Sequence, residues 1–306
     1  MSFHYYVTDV FTDRPFGGNQ LAVFPDASNI PEQLLLPITR EFNFSEVTFV
    51  YPPADAGNTR RVRIFTPGGE IPFAGHPTVG TAFVLFASGE LRADCAEVTV
   101  RLEEKVGTVP VRVRFPEGGG LAPAFAQLSV ARLPEVVPPS PSLATLAEVL
   151  SLDESDFLGG DYMPEAVSCG IPFLMVPLRT RDAVRRARVR SDAWERTLRG
   201  TPGSEIMVFA LDPERAGTDL RARVFVPGLN IAEDPATGSA SACLAGYLAM
   251  RTPRDGTLRW VCEQGVEMGR PSVIEVEADK SGGKITAVRC GGSAVMVAEG
   301  KLMLGE

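Results

Sequence analysis

One long internal repeat limits what this chain can fold into more than any other feature. Arg61-Val62-Arg63-Ile64-Phe65-Thr66-Pro67-Gly68 returns 160 positions later as Arg221-Ala222-Arg223-Val224-Phe225-Val226-Pro227-Gly228. The match runs on to Ile71 and Ile231, slips by two residues, and resumes. His76-Pro77-Thr78-Val79-Gly80-Thr81-Ala82 then aligns with Asp234-Pro235-Ala236-Thr237-Gly238-Ser239-Ala240. A period this long marks a duplicated domain rather than a solenoid. Each copy reads as an alternating strand, a Pro-Gly turn, a short loop and a polar residue before proline. Val79, Ala82, Phe83 and Phe86 in one copy, and Ala240, Cys243, Leu244 and Tyr247 in the other, then follow helical spacing. Proline is well tolerated at the first helical position, so Pro77 and Pro235 are expected there, with His76 and Asp234 as N-caps. A weaker pairing of Gly18–Val23 with Gly170–Val176 suggests an earlier piece of the same repeat.

Strand patterns dominate elsewhere: Val98–Leu102, Val109–Phe115, Ile206–Ala210, Leu220–Val226 and Val273–Glu277. Asp279–Lys284 reads as a hairpin turn. Leu34, Leu35, Ile38 and Phe42 predict a helix over Pro31–Phe42, with Pro37 awkwardly in its middle. The proline-rich run Arg132–Ser142 reads as an extended linker, and Thr145-Leu146-Ala147-Glu148 as a capping box opening a helix. The fold class is therefore α+β, strand-rich with one long helix per half and no βα alternation of the Rossmann kind. The expected division is residues 1–130, a linker over 131–142, and 143–289.

Composition removes several function classes. Of the 306 residues, 44% are hydrophobic and 22% charged, a globular balance. A net charge of −8 opposes nucleic-acid binding, which needs a basic face, yet leaves room for a small anionic substrate held by backbone N–H groups. No apolar run is long enough to span a membrane, and the start of the chain reads as a strand rather than a signal peptide. The five cysteines are scattered without a C-x-x-C pair, which argues against a disulfide framework or a zinc site and for a reducing, cytoplasmic setting. No metal is expected, since acidic residues show no ligand spacing around the two histidines, His4 and His76.

His76 stands out because histidine is a poor N-cap, so its place at a helix start asks for a reason beyond capping. Unpaired N–H groups there can hold a carboxylate, with Gly75 and Gly80 allowing close approach. Asp234 has a strong structural reading as a cap, and only its equivalence to His76 draws attention to it. Two such starts from a duplicated fold can face one another across a cleft, with Ser239 in the second helix's first turn. Glu46, at the entrance to an apolar strand, reads from composition as a solvated strand end. Gly75 and Gly80-Thr81 imitate a P-loop in spacing but lack its lysine, and neither a G-x-G-x-x-G nor a G-x-S-x-G motif is present.

At these residues the chain resembles the PhzF family, phenazine-biosynthesis-like proteins with the diaminopimelate epimerase fold. The resemblance runs through Asp9–Phe24, Asn43–Val50, Arg63–Pro77, Glu233–Ala240 and Gln264–Pro271. It implies two pseudo-symmetric β-barrel-like domains, each around a central helix, with the last strand returning to complete the first half over 290–306. It also implies a homodimer and a cofactor-free isomerase acting on a small molecule. The family's best-understood members isomerise trans-2,3-dihydro-3-hydroxyanthranilate. By the same resemblance, Glu46 corresponds to the general acid/base, and His76 and Asp234 to groups that orient the substrate. Ser239, Asn19, Gln264 and Gly265 fall among the substrate-binding positions, and Gly75 and Gly238 where backbone N–H groups approach the ligand. Related epimerases use two thiols as proton carriers, whereas Ala74 and Pro235 stand at those positions here. A one-face proton shift is thus expected over two-thiol racemisation. A cysteine-independent amino-acid epimerase or a non-catalytic metabolite-binding protein are the alternatives.

Overall fold

The computed structural model describes residues 2–117, 122–229 and 231–304. Met1 and the final two positions of the 290–306 segment lie outside the described residues. The chain divides into two compact units, Met1–Ala131 with Gly291–Glu306, and Arg132–Cys290.

The first unit wraps a sheet around one helix. Its strands are β1 (Ser2–Val10), β2 (Asn19–Phe24), β3 (Glu46–Tyr51), β4 (Arg60–Thr66), β5 (Gly69–Ile71), β6 (Glu97–Glu104), β7 (Gly107–Arg114) and β8 (Phe125–Ser129). The chain's last strand, β18 (Ala294–Met303), pairs antiparallel with β1 along its length. From there the sheet runs β1–β2 antiparallel, β2–β3 parallel, β3–β4 antiparallel, β4–β6 parallel, then β6–β7–β8 antiparallel. Helix α2 (Gly75–Ala87) touches β18, β1, β2 and β3 as well as β7 and β8. Every residue of α2 from Gly75 to Phe86 is buried. A helix apolar on all sides belongs inside its protein, and this one is enclosed by its own sheet.

The second unit repeats the plan. After β9 (Glu135–Val136), a short strand within the proline-rich run, come β10 (Glu165–Ser168), β11 (Pro172–Pro177), β12 (Ile206–Ala210), β13 (Leu220–Val226), β14 (Ile231–Asp234), β15 (Gly256–Gln264), β16 (Ser272–Ser281) and β17 (Lys284–Gly292). Pairing again goes antiparallel, parallel, antiparallel, then parallel from β13 to β15. Helix α6 (Gly238–Arg251) packs on β10, β11, β15 and β16. Before β10 the unit adds α3 (Leu143–Leu150), and between β11 and β12 it adds α4 (Arg181–Arg186) and α5 (Ser191–Thr197); the three cover an apolar cluster around Trp194 and Phe225. The α+β architecture of two helix-centred sheets is thus present in both units.

Local chemistry explains several differences from expectation. The early helix α1 spans Leu35–Phe42, preceded by a 3-10 turn at Glu32–Leu34. Pro37 therefore sits in the first turn of α1, where its missing N–H removes no helical bond. Helix α3 is capped by Ser142, whose Oγ accepts from Thr145 N–H, so Thr145 lies inside the helix rather than opening it. Between β16 and β17 the hairpin turns at Gly282 and Gly283, both with positive φ.

Gly80 is a packing glycine, not a ligand-approach one. A Cβ there would lie 2.6 Å from Val10 Cγ2 and 2.7 Å from Leu21 Cδ2, so its absence lets α2 lie against β1 and β2. Alanine in a helix gains about 1 kcal/mol over glycine, whereas overpacking a close-packed core costs about 1–3 kcal/mol. Gly80→Ala should therefore lower the unfolding free energy, with a lower denaturant midpoint; equal or greater stability would show that the strands yield to α2.

Candidate active site

Helix α2 begins without a side-chain cap. Ala74, extended at φ −151°, is its N-cap, and Gly75, His76 and Pro77 form its first turn. His76 is thus inside the helix, two positions after the cap, and Pro77 is its third residue. The sheet closes around this end, leaving His76 only 4% exposed.

The ring's two nitrogens meet different neighbours. One hydrogen-bonds the backbone of Gln20. Nε2 makes no hydrogen bond among the described residues and lies 3.5 Å from Glu46 Oε2. The ring N–H facing the Gln20 carbonyl is therefore Nδ1–H, which sets the tautomer and leaves the Nε2 lone pair towards the carboxyl. Burial pushes the His76 pKa down to about 3, and the Gln20 bond only partly opposes this. The imidazole is neutral across the physiological range.

Glu46 opens β3, paired in register with Leu21 of β2. Its side chain is 14% exposed. Asn19, at the start of β2, is buried, and Ser45 Oγ donates to its Oδ1 at 3.2 Å. Asn19, Ser45, Glu46 and His76 are therefore brought together where the parallel strands β2 and β3 begin beside the start of α2. A carboxyl and a neutral imidazole in a mostly dry setting can pass and hold a proton.

In the second unit, Asp234 ends β14 rather than capping a helix. Helix α6 starts four residues later at Gly238, with Thr237 as N-cap, so Pro235 lies in the loop between. Asp234 is buried, and its Oδ2 accepts from Thr237 Oγ at 2.5 Å. Gln264, fully buried, directs its amide into this loop. Its Nε2 donates to the Asp234 carbonyl at 2.8 Å and to Thr237 Oγ at 3.0 Å, and its Oε1 accepts from Thr237 N–H at 3.2 Å. The described contacts of Gln264 thus brace the loop. Gly265 has φ +73°, and a Cβ on it would lie 2.4 Å from the carbonyl oxygens of Pro235 and Arg270. Only glycine allows that turn to pack on the Asp234 loop. Gly238 is buried and Ser239 half-buried at the first turn of α6.

Thr78, Thr237 and Glu104 escape a reading by motif. The repeat carried a signal for the last: at the same offset of 160, Glu103-Glu104 faces Glu263-Gln264. Among the described residues, no group of three or more His, Cys, Asp or Glu side chains is arranged to hold a metal ion. No helix of the described residues is long and apolar enough to cross a membrane.

The neutrality of His76 can be checked directly. An imidazole with its folded pKa depressed from 6.5 to about 3 leaves the unfolded chain holding more protons between those values. Its contribution to stability is therefore fully present above pH 6.5 and is lost as pH falls towards 3. Nitrogen-15 NMR of histidine-labelled protein should show His76 as the Nδ1–H tautomer, unprotonated at pH 5. A protonated ring at that pH would overturn the assignment.

The phenazine biosynthesis-like protein family model, PhzC-PhzF, matches residues 8–300 of this chain. An uncharacterized isomerase of Mesorhizobium japonicum is 37% identical over 308 residues, covering 98% of this chain and 99% of that protein. The trans-2,3-dihydro-3-hydroxyanthranilate isomerase of Pseudomonas aeruginosa is 33% identical over 301 residues, with 98% and 99% covered. In structure, a phenazine biosynthesis protein of the PhzF family from Bacillus anthracis superposes with a TM-score of 0.88 at 25% identity, covering 99% of this chain and 100% of that one.

Proposed function

The chain belongs to the phenazine biosynthesis-like PhzC-PhzF family of isomerases, and on that premise we propose that it shifts a proton on a small cyclic amino or hydroxy carboxylic acid, with Glu46 as general acid/base. The observation that carries this reading is the 3.5 Å approach of Glu46 Oε2 to the unprotonated Nε2 of His76. Glu46 as carboxylate removes a proton from an sp3 ring carbon, and the C–H electron pair enters the adjacent conjugated system. The proton rides on Oε2, where Nε2 can accept its hydrogen bond. It then returns to another carbon of the same system as a double bond moves. No proton or electron is lost over the cycle.

While Glu46 is ionised, before it takes the proton, the single Nε2 lone pair is open to a substrate hydroxyl or ammonium, which brings the reacting carbon near Glu46. The N–H group at Gly75, in the first turn of α2, is a further polar contact proposed for the substrate. Positioning of this kind supplies up to about 7–11 kcal/mol of a barrier in the best cases. Substrates related to trans-2,3-dihydro-3-hydroxyanthranilate are the first to try, because a 33% identical relative carries that name.

Positioned acid–base groups contribute about 10²–10⁴-fold to rate. Glu46→Gln should lower kcat by that amount while calorimetry still detects substrate binding; near-normal turnover would remove Glu46 from the chemistry. In deuterium oxide, double-bond migration supports the isomerase, with label at the new carbon only to the extent that the proton held by Glu46 exchanges before it returns. Inversion at one carbon without migration would favour an amino-acid epimerase instead.

A further inference from the structure

A second buried carboxyl lies beside α2 and has no part in the proton shift. Glu104, the last residue of β6, is 5% exposed. Its Oε1 is 2.6 Å from Thr78 Oγ, and its Oε2 is buried with no hydrogen-bond partner among the described residues. Thr78 stands two residues beyond His76. Its hydroxyl is also 2.7 Å from the Ala74 carbonyl oxygen. A hydroxyl carries one proton, and a carbonyl can only accept. If Thr78 donates to Ala74, the short contact with Glu104 needs a proton from the carboxyl. An ionised Glu104 would have to draw the Thr78 proton away from Ala74, loosening the start of a helix that has no side-chain cap.

The duplication supplies an independent argument. Glu103 lies opposite Arg61 in the β4–β6 pairing, as Glu263 lies opposite Arg221 between β13 and β15. Glu103 accepts from the N–H groups of Ala54 and Asp55, as Glu263 does from those of Glu214 and Arg215. The next residues, Glu104 and Gln264, are therefore structural equivalents. Gln264 uses an amide, donor and acceptor together, to hold Thr237 and the Asp234 carbonyl. A carboxyl matches that capacity only when it carries its proton.

We propose that Glu104 is a positioning residue: as the neutral acid it donates to Thr78 and fixes the first turn of α2, and with it the His76 ring, as Gln264 fixes the Asp234 loop. Its effect on turnover rests on the isomerase reading; its effect on the helix does not.

Burial raises the Glu104 pKa to about 8, so the acid is mostly protonated at neutral pH and ionises just above it. A cavity of about 220 Å³ reaches Glu104, and its wall also carries Arg61, Arg63, Glu70, Glu103 and Lys105. These charges have other engagements. Arg63 pairs with Glu32 and Glu70, Lys105 lies 3.9 Å from Glu70, and the Arg61 guanidinium lies over the Tyr51 ring. From α2, the titratable group near Thr78 is His76, which is neutral here. With the folded pKa above the unfolded 4.5, the native state holds more protons between 4.5 and about 8. The contribution to stability is full below 4.5 and is lost as pH rises to about 8.

The test compares wild type, Glu104→Gln and Glu104→Ala by denaturant unfolding, histidine nitrogen-15 NMR and kinetics from pH 6 to 9.5. Wild type should lose stability relative to Glu104→Gln as pH rises to about 8 and hold a constant difference above it, and its His76 ring signal should move with a midpoint near 8; in Glu104→Gln that signal should stay level. If the isomerase reading holds, wild-type kcat/KM should fall about tenfold between pH 7 and 9 as the neutral acid is lost. Glu104→Gln should stay within about threefold of wild type at pH 7 and lack that fall. Glu104→Ala should lose about tenfold or more at every pH. An unchanged alkaline transition of stability and His76 signal in Glu104→Gln would overturn the proposal, as would wild-type kinetics in Glu104→Ala. Should Glu104→Ala fail to fold, Glu104→Gln alone decides. If wild type turns over no cyclic amino or hydroxy acid, the isomerase reading fails, while unfolding and NMR still judge Glu104.

Discussion

Each long helix is enclosed by its own sheet, and that enclosure governs every polar group near its first turn. Water hardly reaches His76, Glu104, Thr237 and Gln264 to satisfy them, and a buried donor or acceptor left without a partner costs about 1–3 kcal/mol. Each must find a partner in the protein or change its protonation state. His76 does the second, staying neutral because its charged form would be desolvated. Glu104 does likewise in the opposite sense, retaining a proton that an exposed glutamate loses. Thr237 and Gln264 do the first, closing a local network in which both sides donate and accept.

The two units show how duplication separates scaffold from chemistry. Shared features are structural: the parallel step from β4 to β6 and from β13 to β15, the glutamates receiving loop N–H groups, and arginines paired across the strands. Arg63 meets Glu70, and Arg223 meets Glu233. The units differ at the start of the buried helix. One presents imidazole and carboxyl groups whose protonation depends on burial; the other presents an aspartate held by a threonine and an amide that cannot ionise. A copied fold preserves packing, and substitutions at the helix starts make the halves chemically unlike.

The fold was legible where its causes are local. Strand alternation, helical spacing and turn glycines act over a few residues, so β4, β13, α2, α6 and the Gly282–Gly283 hairpin followed from the pattern. Helix ends were less legible, because a cap depends on the conformation of the preceding loop. His76 and Asp234 looked like caps, but Ala74 and Thr237 hold those positions. Glu46 resembled an ordinary solvated strand end, and only resemblance to a family singled it out. Its neighbour His76 lies 30 residues away in the chain, beyond the reach of any local pattern.

What the sequence determined by itself was the duplication, the α+β class, the strands and the two apolar helices, since periodicity and turn chemistry dictate these from neighbouring residues. Tertiary structure alone decided which groups share a dry environment. It set the tautomer of His76, seated Gly80 against Val10 and Leu21, and brought Glu104 to Thr78. Protonation and close approach depend on what surrounds a group in space, and those surroundings exist only once distant segments have packed.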